Sequence, residues 1–133
     1  MINSLYNHWD INVRLEVASN TNTSPKILDL LSEDKMSVRR MVAYNPNTTS
    51  KTLEKLIHSN ENEIAIIVAI RTDLSLDMMR LLIEKDFDPS VKETLLENNT
   101  VPNEILKTLC KDSNENVSFA AKNHPNFKLK MLL

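Results

Sequence analysis

The chain has 133 residues, enough for one domain with a sizeable buried core, and 16 Lys and Arg against 18 Asp and Glu give a formal net charge of −2. This balance provides no basic field to attract a phosphate backbone, so a nucleic-acid partner is disfavoured. The single cysteine excludes an internal disulfide framework, no signal-peptide pattern is present, and no stretch approaches 18 apolar residues, so the sequence predicts a soluble, cytoplasmic protein without a membrane span.

Glycine is absent from the chain, whereas asparagine occurs 16 times. After glycine, asparagine is the residue that best tolerates a left-handed backbone, so we expect many short helices that end in left-handed asparagines. The absence of glycine also excludes glycine-rich loops that cradle phosphates. We therefore expect no nucleotide cofactor, and the sequence indicates no other cofactor.

The first twelve residues are predicted to form an N-terminal half-repeat that caps the rest of the chain. Ile2 and Leu5 lie three residues apart, which is a helical spacing, and Leu5 precedes Val13 by eight residues. The residues expected to cover the half-repeat are Tyr6, Trp9 and Ile11.

From residue 13 onward, one apolar pattern occurs five times. Residues 13–20 read Val-Arg-Leu-Glu-Val-Ala-Ser-Asn, and residues 38–45 read Val-Arg-Arg-Met-Val-Ala-Tyr-Asn. Further copies begin near Ile64, Val91 and Val117, so the steps between copies are 25, 26, 27 and 26 residues. Such self-similarity at a fixed period is the signature of a repeat protein.

A second apolar pair follows 15 and 18 residues after the leading aliphatic residue, as in Leu53 and Leu56. Each copy therefore predicts two short amphipathic helices, which are stable only when neighbouring copies stack. The sequence thus predicts an all-α fold, an αα-superhelix (solenoid) of about five two-helix repeats of 25–27 residues, forming a single domain over residues 1–133. The residues predicted to be buried are Val17, Leu28, Val42, Leu53, Leu56, Val68, Leu95 and Leu106.

The pattern Val-Arg-x-x-Val-Ala-x-Asn-Pro-Asn-Thr, followed by Leu-x-x-Leu and an acidic turn, is most complete over residues 38–56. It resembles the leucine-rich repeat variant, a bacterial repeat akin to HEAT and armadillo repeats, and the resemblance covers about residues 13–133. The resemblance implies a right-handed superhelix of alternating helices, some of them 3₁₀ helices, and a role in molecular interactions. The family's cysteine-rich iron-sulfur module has no counterpart in this chain, so no cluster is expected.

Basic residues follow the leading aliphatic residue in three copies, and aspartates lie in the preceding turns. We expect these residues to form exposed ion pairs that connect adjacent copies. A continuous row of basic residues that binds phosphate groups is not expected, because Ala65 and Ser118 take the basic position in the other two copies. The residues concerned are Arg14, Arg39 and Lys92, with Asp34, Asp86 and Asp112.

The three histidines fall at unrelated phases of the repeat, so they predict no shared metal site. Cys110 occupies the column of Ile57 and Ile83, and we expect it to be a small core residue rather than a reactive thiol. Trp9 is expected to lie at a helix cap rather than to stack on a base, because no basic groove accompanies it.

The first helix of the third copy is apolar all round, whereas an ordinary surface helix keeps a polar side. Its Ile66 takes the position that Arg40 and Glu93 hold in other copies, and its Ile70 takes the position that Tyr44 and Glu97 hold. Two interpretations stay open, simple burial of this helix and a partner surface around Tyr44, Ile66 and Ile70.

The last residues, Met131, Leu132 and Leu133, stop inside the second helix of the fifth copy without a polar cap, so we expect them to contact a protein partner, a further repeat, or a second copy in a weak homodimer. No group of catalytic residues converges, and the sequence therefore predicts a non-enzymatic scaffold for protein–protein interaction. The alternative is a nucleic-acid-binding or DNA-repair protein of HEAT-like fold that uses Arg14, Arg39, Arg40 and Lys92.

Overall fold

A computed structural model describes residues 1–128 of the chain, and all the regular secondary structure among them is helical. A short 3₁₀ helix, Ile2–Leu5, comes first and nine α-helices follow within the described residues. The predicted all-helical fold is confirmed for this part of the chain. The α-helices are α1 Ile11–Ser19, α2 Pro25–Leu31, α3 Met36–Tyr44, α4 Ser50–His58, α5 Asn62–Ile70, α6 Leu76–Glu84, α7 Pro89–Leu96, α8 Asn103–Leu109 and α9 Glu115–Lys122.

The helices alternate in the register that the sequence predicts. Helices α1, α3, α5, α7 and α9 each begin two residues before the leading aliphatic residue of their copy, so their starts are 25 to 27 residues apart. Helices α2, α4, α6 and α8 carry the second apolar pair of copies one to four. The residues predicted to form the second helix of the fifth copy, including Met131, Leu132 and Leu133, lie outside the described residues.

The 3₁₀ helices that the family resemblance implies do not occur inside the described part of the repeats. Residues 2–5 form the one 3₁₀ helix among residues 1–128, and they precede the first copy. Both helices of a described two-helix repeat are therefore α-helical.

Hydroxyl side chains start the second helices of the first three copies. Ser24, Thr49 and Ser75 each accept a hydrogen bond from a backbone N–H three residues later. Such a bond satisfies one of the N–H groups that the first turn of a helix leaves without a partner. Pro25 then occupies the first turn of α2, where its missing N–H costs nothing. The beginnings of these helices are therefore determined locally by sequence.

The chain divides into two compact units, Met1–Val68 and Ala69–Leu133. In the first unit α1 packs against α3, which also contacts α2 and α4; in the second, α9 packs against α7 and α8, and α6 against α7. The prediction of a single domain stays a prediction. Every residue predicted to be buried is buried, namely Val17, Leu28, Val42, Leu53, Leu56 and Val68 in the first unit and Leu95 and Leu106 in the second.

Asparagine side chains connect consecutive copies in the first unit. The Asn45 Nδ2 donates to the backbone oxygens of Ala18, at 2.8 Å, and Asn20, at 2.9 Å. Its Oδ1 accepts from the N–H of Asn47 at 2.9 Å, and the Asn47 Nδ2 donates to the oxygen of Thr23 at 3.1 Å. These amides satisfy backbone carbonyls at and beyond the end of α1, which the helix itself leaves unpaired.

This role differs from the left-handed helix ends that the asparagine content led us to expect. Asn20 and Asn45 follow α1 and α3 with extended backbone, at φ of −78° and −69°. Asn60 is the one non-glycine residue with positive φ, 60°, among the described residues. The expectation was wrong because an asparagine side chain offers both a donor and an acceptor, and the repeat uses both.

The same connection recurs in the second unit. The Asn98 Nδ2 donates to the oxygen of Arg71 at 2.6 Å, and its Oδ1 accepts from the N–H of Thr100 at 2.9 Å. One copy later His124 takes this place, since its Nδ1 accepts from the N–H of Asn126 and its Nε2 donates to the oxygen of Asn98, both at 3.0 Å. His124 thus occupies the position of the repeat that Asn45 and Asn98 hold in their own copies.

Within residues 1–128, each helix is too short or too polar to cross a lipid bilayer.

Candidate protein-binding surface

Each first helix turns one side away from the core. The third and seventh residues of each copy, counted from its leading aliphatic residue, form two columns on that side, and none of these ten residues is buried. We call them the first-helix face and describe it separately in the two units. It comprises Leu15, Ser19, Arg40, Tyr44 and Ile66 in the first unit, and Ile70, Glu93, Glu97, Phe119 and Asn123 in the second.

In the first unit, Tyr44 is the most prominent apolar residue of this face, with 56% of its surface exposed. One turn earlier on α3, Arg40 forms an ion pair with Glu63, with 2.7 Å between Nε and Oε1. Ile66 is partly exposed. An exposed tyrosine offers a large contact area and a polar tip, a combination enriched in protein interfaces.

In the second unit, Ile70 and Phe119 are exposed by 54% and 68%. Glu93 lies on α7 and Glu97 directly after it, and both glutamates are exposed; the neighbouring helix α9 carries Phe119. A cavity of about 100 Å³ lies at Ile70 and Glu97, with Thr94 and Asn98 completing its walls. This part of the face therefore combines acidic and apolar groups.

Helix α5 owes most of its apolar composition to burial. Ile64, Ala65, Ile67, Val68 and Ala69 are all buried, whereas Ile66 is partly exposed and Ile70 is exposed. Burial therefore accounts for most of this helix, and a partner surface that includes Ile66 and Ile70 stays a prediction. Of the predicted partner residues, Tyr44 and Ile66 belong to the first unit and Ile70 to the second.

Phe119 is a residue that the sequence interpretation missed. It occupies the column of Arg40 and Ile66, so the repeat alignment itself contained the signal. The surrounding Ser118 and Lys122 gave the fifth copy weaker agreement with the pattern, and this hid the exposed aromatic residue.

The outer side of the second helices is different, as α4 shows. It exposes Lys51, Glu54, Lys55 and His58, which line a cleft of about 450 Å³. The Lys55 Nζ lies 3.2 Å from carboxylate oxygens of both Asp29 and Glu33. Charged groups that pair with one another and with water are typical of a solvated surface.

Ion pairs hold the basic residues that follow the leading aliphatic positions. The Nε of Arg14 lies 2.8 Å from Oδ2 of Asp34, the Nζ of Lys92 lies 2.7 Å from Oδ2 of Asp112, and Arg39 pairs with Glu61. Each acid therefore follows its partner along the chain, in the turn that ends the same copy, and not in the preceding turn as expected. Asp86 is exposed and forms no ion pair with the residues that the structure describes.

The ion pair between Arg14 and Asp34 changes the acidity of the aspartate. Burial favours the neutral acid, but the hydrogen bonds from Arg14 and from the Lys35 backbone N–H outweigh it and hold the pKa of Asp34 below its ordinary value of 3.8. The Arg39 Nε also donates to the backbone oxygen of Asp34, at 3.0 Å, so Asp34 connects the first two copies.

We expected Trp9 to cover the N-terminal half-repeat. It does not, because 85% of its surface is exposed. The backbone oxygens of His8 and Trp9 accept hydrogen bonds from Arg14, at 2.8 and 3.1 Å, which leaves the indole on the outside, 5.2 Å from the His8 ring. Together with Tyr6 and Leu30, these residues line a cleft of about 430 Å³.

Cys110 lies just after α8 and is only partly buried, so the prediction of a core residue was wrong. Its thiol donates to the oxygen of Lys107 at 3.1 Å. A position directly after the last turn of a helix leaves the side chain at the rim of the core. Among residues 1–128, no three His, Cys, Asp or Glu residues come together in a way that could hold a metal ion.

Comparison of the chain with protein-family models, with curated proteins and with solved structures found no match. The functional interpretation therefore depends on the placement of the chain's own side chains.

Proposed function

We propose that the chain is a non-enzymatic helical-repeat scaffold that binds other proteins through its first-helix face. The observation that supports this most strongly is that three of the four large hydrophobic side chains exposed between residues 13 and 128 lie on this face, Leu30 of α2 being the fourth. Tyr44 in the first unit, and Ile70 and Phe119 in the second, all lie in the two outward columns of the first helices. Single exposed hydrophobic residues are ordinary, but their recurrence in the same columns indicates a surface kept for a partner.

The hydrogen-bonded framework supports this function because it fixes the spacing of the helices that carry the face. Asn45 and Asn98 each join one copy to the preceding copy, within the first and the second unit respectively. A rigid surface loses less conformational freedom when a partner binds. We also propose that the chain is related to the leucine-rich repeat variant. Its proposed compartment is the cytoplasm, where the thiol of Cys110 stays reduced.

The alternative of a nucleic-acid-binding protein gains no support from the basic residues assigned to it. Arg14, Arg39, Arg40 and Lys92 all lie in ion pairs with acids of the chain. A phosphate would have to displace these carboxylates, which removes much of the gain that phosphate contacts give.

Photo-crosslinking in cells of the source organism tests the proposal. The photoreactive amino acid benzoylphenylalanine replaces Tyr44 or Phe119 on the first-helix face, and Lys51 of α4 as a matched exposed control. We expect discrete protein adducts from positions 44 and 119 but none from position 51. An adduct with the mass of two chains would identify the partner as a second copy. The absence of adducts at both face positions, or equal adducts at position 51, would contradict the proposal.

A further inference from the structure

We infer that the first-helix face of the second unit binds a basic amphipathic helix of a partner protein; this inference rests on the proposed function and names its partner class. Glu93 on α7 and Glu97, the residue directly after the end of α7, lie one turn apart and are both exposed. Neither carboxylate forms a hydrogen bond or an ion pair with the part of the chain that the structure describes, whereas Asp34 and Asp112 are both paired. Two like charges at this spacing repel each other, so a cation supplied from outside is favoured between them.

The neighbouring cations of the chain do not supply this charge. Lys92 precedes Glu93 directly, but its Nζ lies 2.7 Å from Asp112. On α9 the sole cation is Lys122, which is exposed but lies outside the columns of the face and forms no ion pair with Glu93 or Glu97. The negative potential of Glu93 and Glu97 therefore attracts basic groups and disfavours anionic partners such as nucleic acids or acidic lipid surfaces.

Apolar groups on either side of the glutamates provide anchor points. The cavity of about 100 Å³ at Ile70 has room for one aliphatic side chain, and it is far below the roughly 300 to 1,000 Å³ of a small-molecule site. Phe119 offers a second apolar contact on α9, the neighbour of α7. Neighbouring helices pack about 8 to 10 Å apart, so the two anchors are separated by roughly 16 to 20 Å.

A helical partner can span this separation. A helix rises about 1.5 Å per residue, so roughly 11 to 13 residues span the distance between Ile70 and Phe119. A partner helix with apolar residues along one side would contact both anchors and place flanking Lys or Arg over Glu93 and Glu97. This is the helix-in-groove mode of recognition, read through apolar anchors at helical spacing.

A library of random peptides of about 16 residues, long enough to span both anchors, displayed on phage and selected on the full chain, tests the inference. We expect the enriched peptides to carry several Lys or Arg and apolar residues three, four or seven apart. Measured by fluorescence anisotropy, Glu97→Lys and Phe119→Ser should each lower the affinity for an enriched peptide at least about tenfold. Added salt should lower the affinity of the unchanged chain for the same peptide. Glu84→Lys makes the same charge change at an exposed position at the end of α6 and should alter the affinity less than about twofold.

Several outcomes would overturn the inference. These are the enrichment of acidic or uncharged peptides, no enrichment at all, or equal weakening by Glu84→Lys and Glu97→Lys. A dimer of the chain that Glu97→Lys dissociates would make the occupant a second copy and would also overturn it. The crosslinking result separates the two proposals, because adducts at positions 44 and 119 can persist when the basic-helix inference fails. All substituted positions are exposed, so circular dichroism should show an unchanged helix content.

Discussion

The side-chain Nδ2 of Asn45 donates a hydrogen bond to the backbone oxygen of Ala18, 2.8 Å away in the preceding copy of the repeat. The same side chain accepts a hydrogen bond from the N–H of Asn47, so the amide connects two copies and holds a turn at the same time. Neither a carboxylate nor an aliphatic side chain can do both. The identity of this residue therefore contributes to stability in a way that can be measured.

We expect Asn45→Asp to lower the free energy of unfolding by about 1 to 3 kcal/mol. The aspartate keeps the acceptor for the Asn47 N–H but loses the donor, and its charge lies against the carbonyl oxygens of Ala18 and Asn20. Urea unfolding followed by circular dichroism measures the change. Asn20→Asp is the matched control, because the Asn20 Oδ1 accepts from Asn22 at 2.8 Å and this bond survives the substitution. Equal losses in the two variants would contradict the assigned role.

Leu53→Ala should lower the free energy of unfolding by about 2 to 5 kcal/mol, because it deletes a buried side chain and leaves a cavity. Leu53 is 3% exposed, whereas Leu30 is 46% exposed, so Leu30→Ala removes the same atoms from the surface. We expect the control to cost less than about 1 kcal/mol. Denaturant unfolding of both variants tests the repeat register, which is wrong if Leu53→Ala is as mild as Leu30→Ala.

Stability should fall in acid partly through Asp34. Its folded pKa lies below the ordinary value of 3.8, so the stability that it contributes is present above that value and is lost as the pH falls through the folded pKa. Asp34→Asn should therefore lower the melting temperature near pH 7 and reduce the further loss as the pH falls below about 4. Asp86→Asn, at an exposed aspartate without an ion pair among the described residues, should leave both quantities unchanged. Thermal unfolding at several pH values decides between these results.

The chain should not bind nucleic acid at low salt. Its basic residues Arg14, Arg39 and Lys92 are held by Asp34, Glu61 and Asp112, and the net charge is −2. An electrophoretic mobility shift with labelled duplex DNA and with single-stranded RNA measures this. A shifted band that weakens on Arg39→Ala, but not on Lys51→Ala, would favour the nucleic-acid alternative.

The sequence by itself determined the helices and their core. Apolar residues three and four apart predict which side of a helix is buried, and this periodicity is a property of a few neighbouring residues. Val17, Leu53 and Leu106 could therefore be assigned to the core from spacing alone, and they are buried. The recurrence of Tyr44 and Ile70 in one column also gave part of the candidate surface.

Only the tertiary structure decided what the polar and rim residues do. The partner of Asn45 lies 27 residues away and that of His124 lies 26 residues away, so neither interaction leaves a local pattern. Whether Trp9 is covered and Cys110 is enclosed depends on where other helices and turns lie, and in both cases the sequence prediction was wrong. Helical spacing determines which residues share a side of one helix, whereas hydrogen-bond partners and exposure are determined only when separate copies pack together.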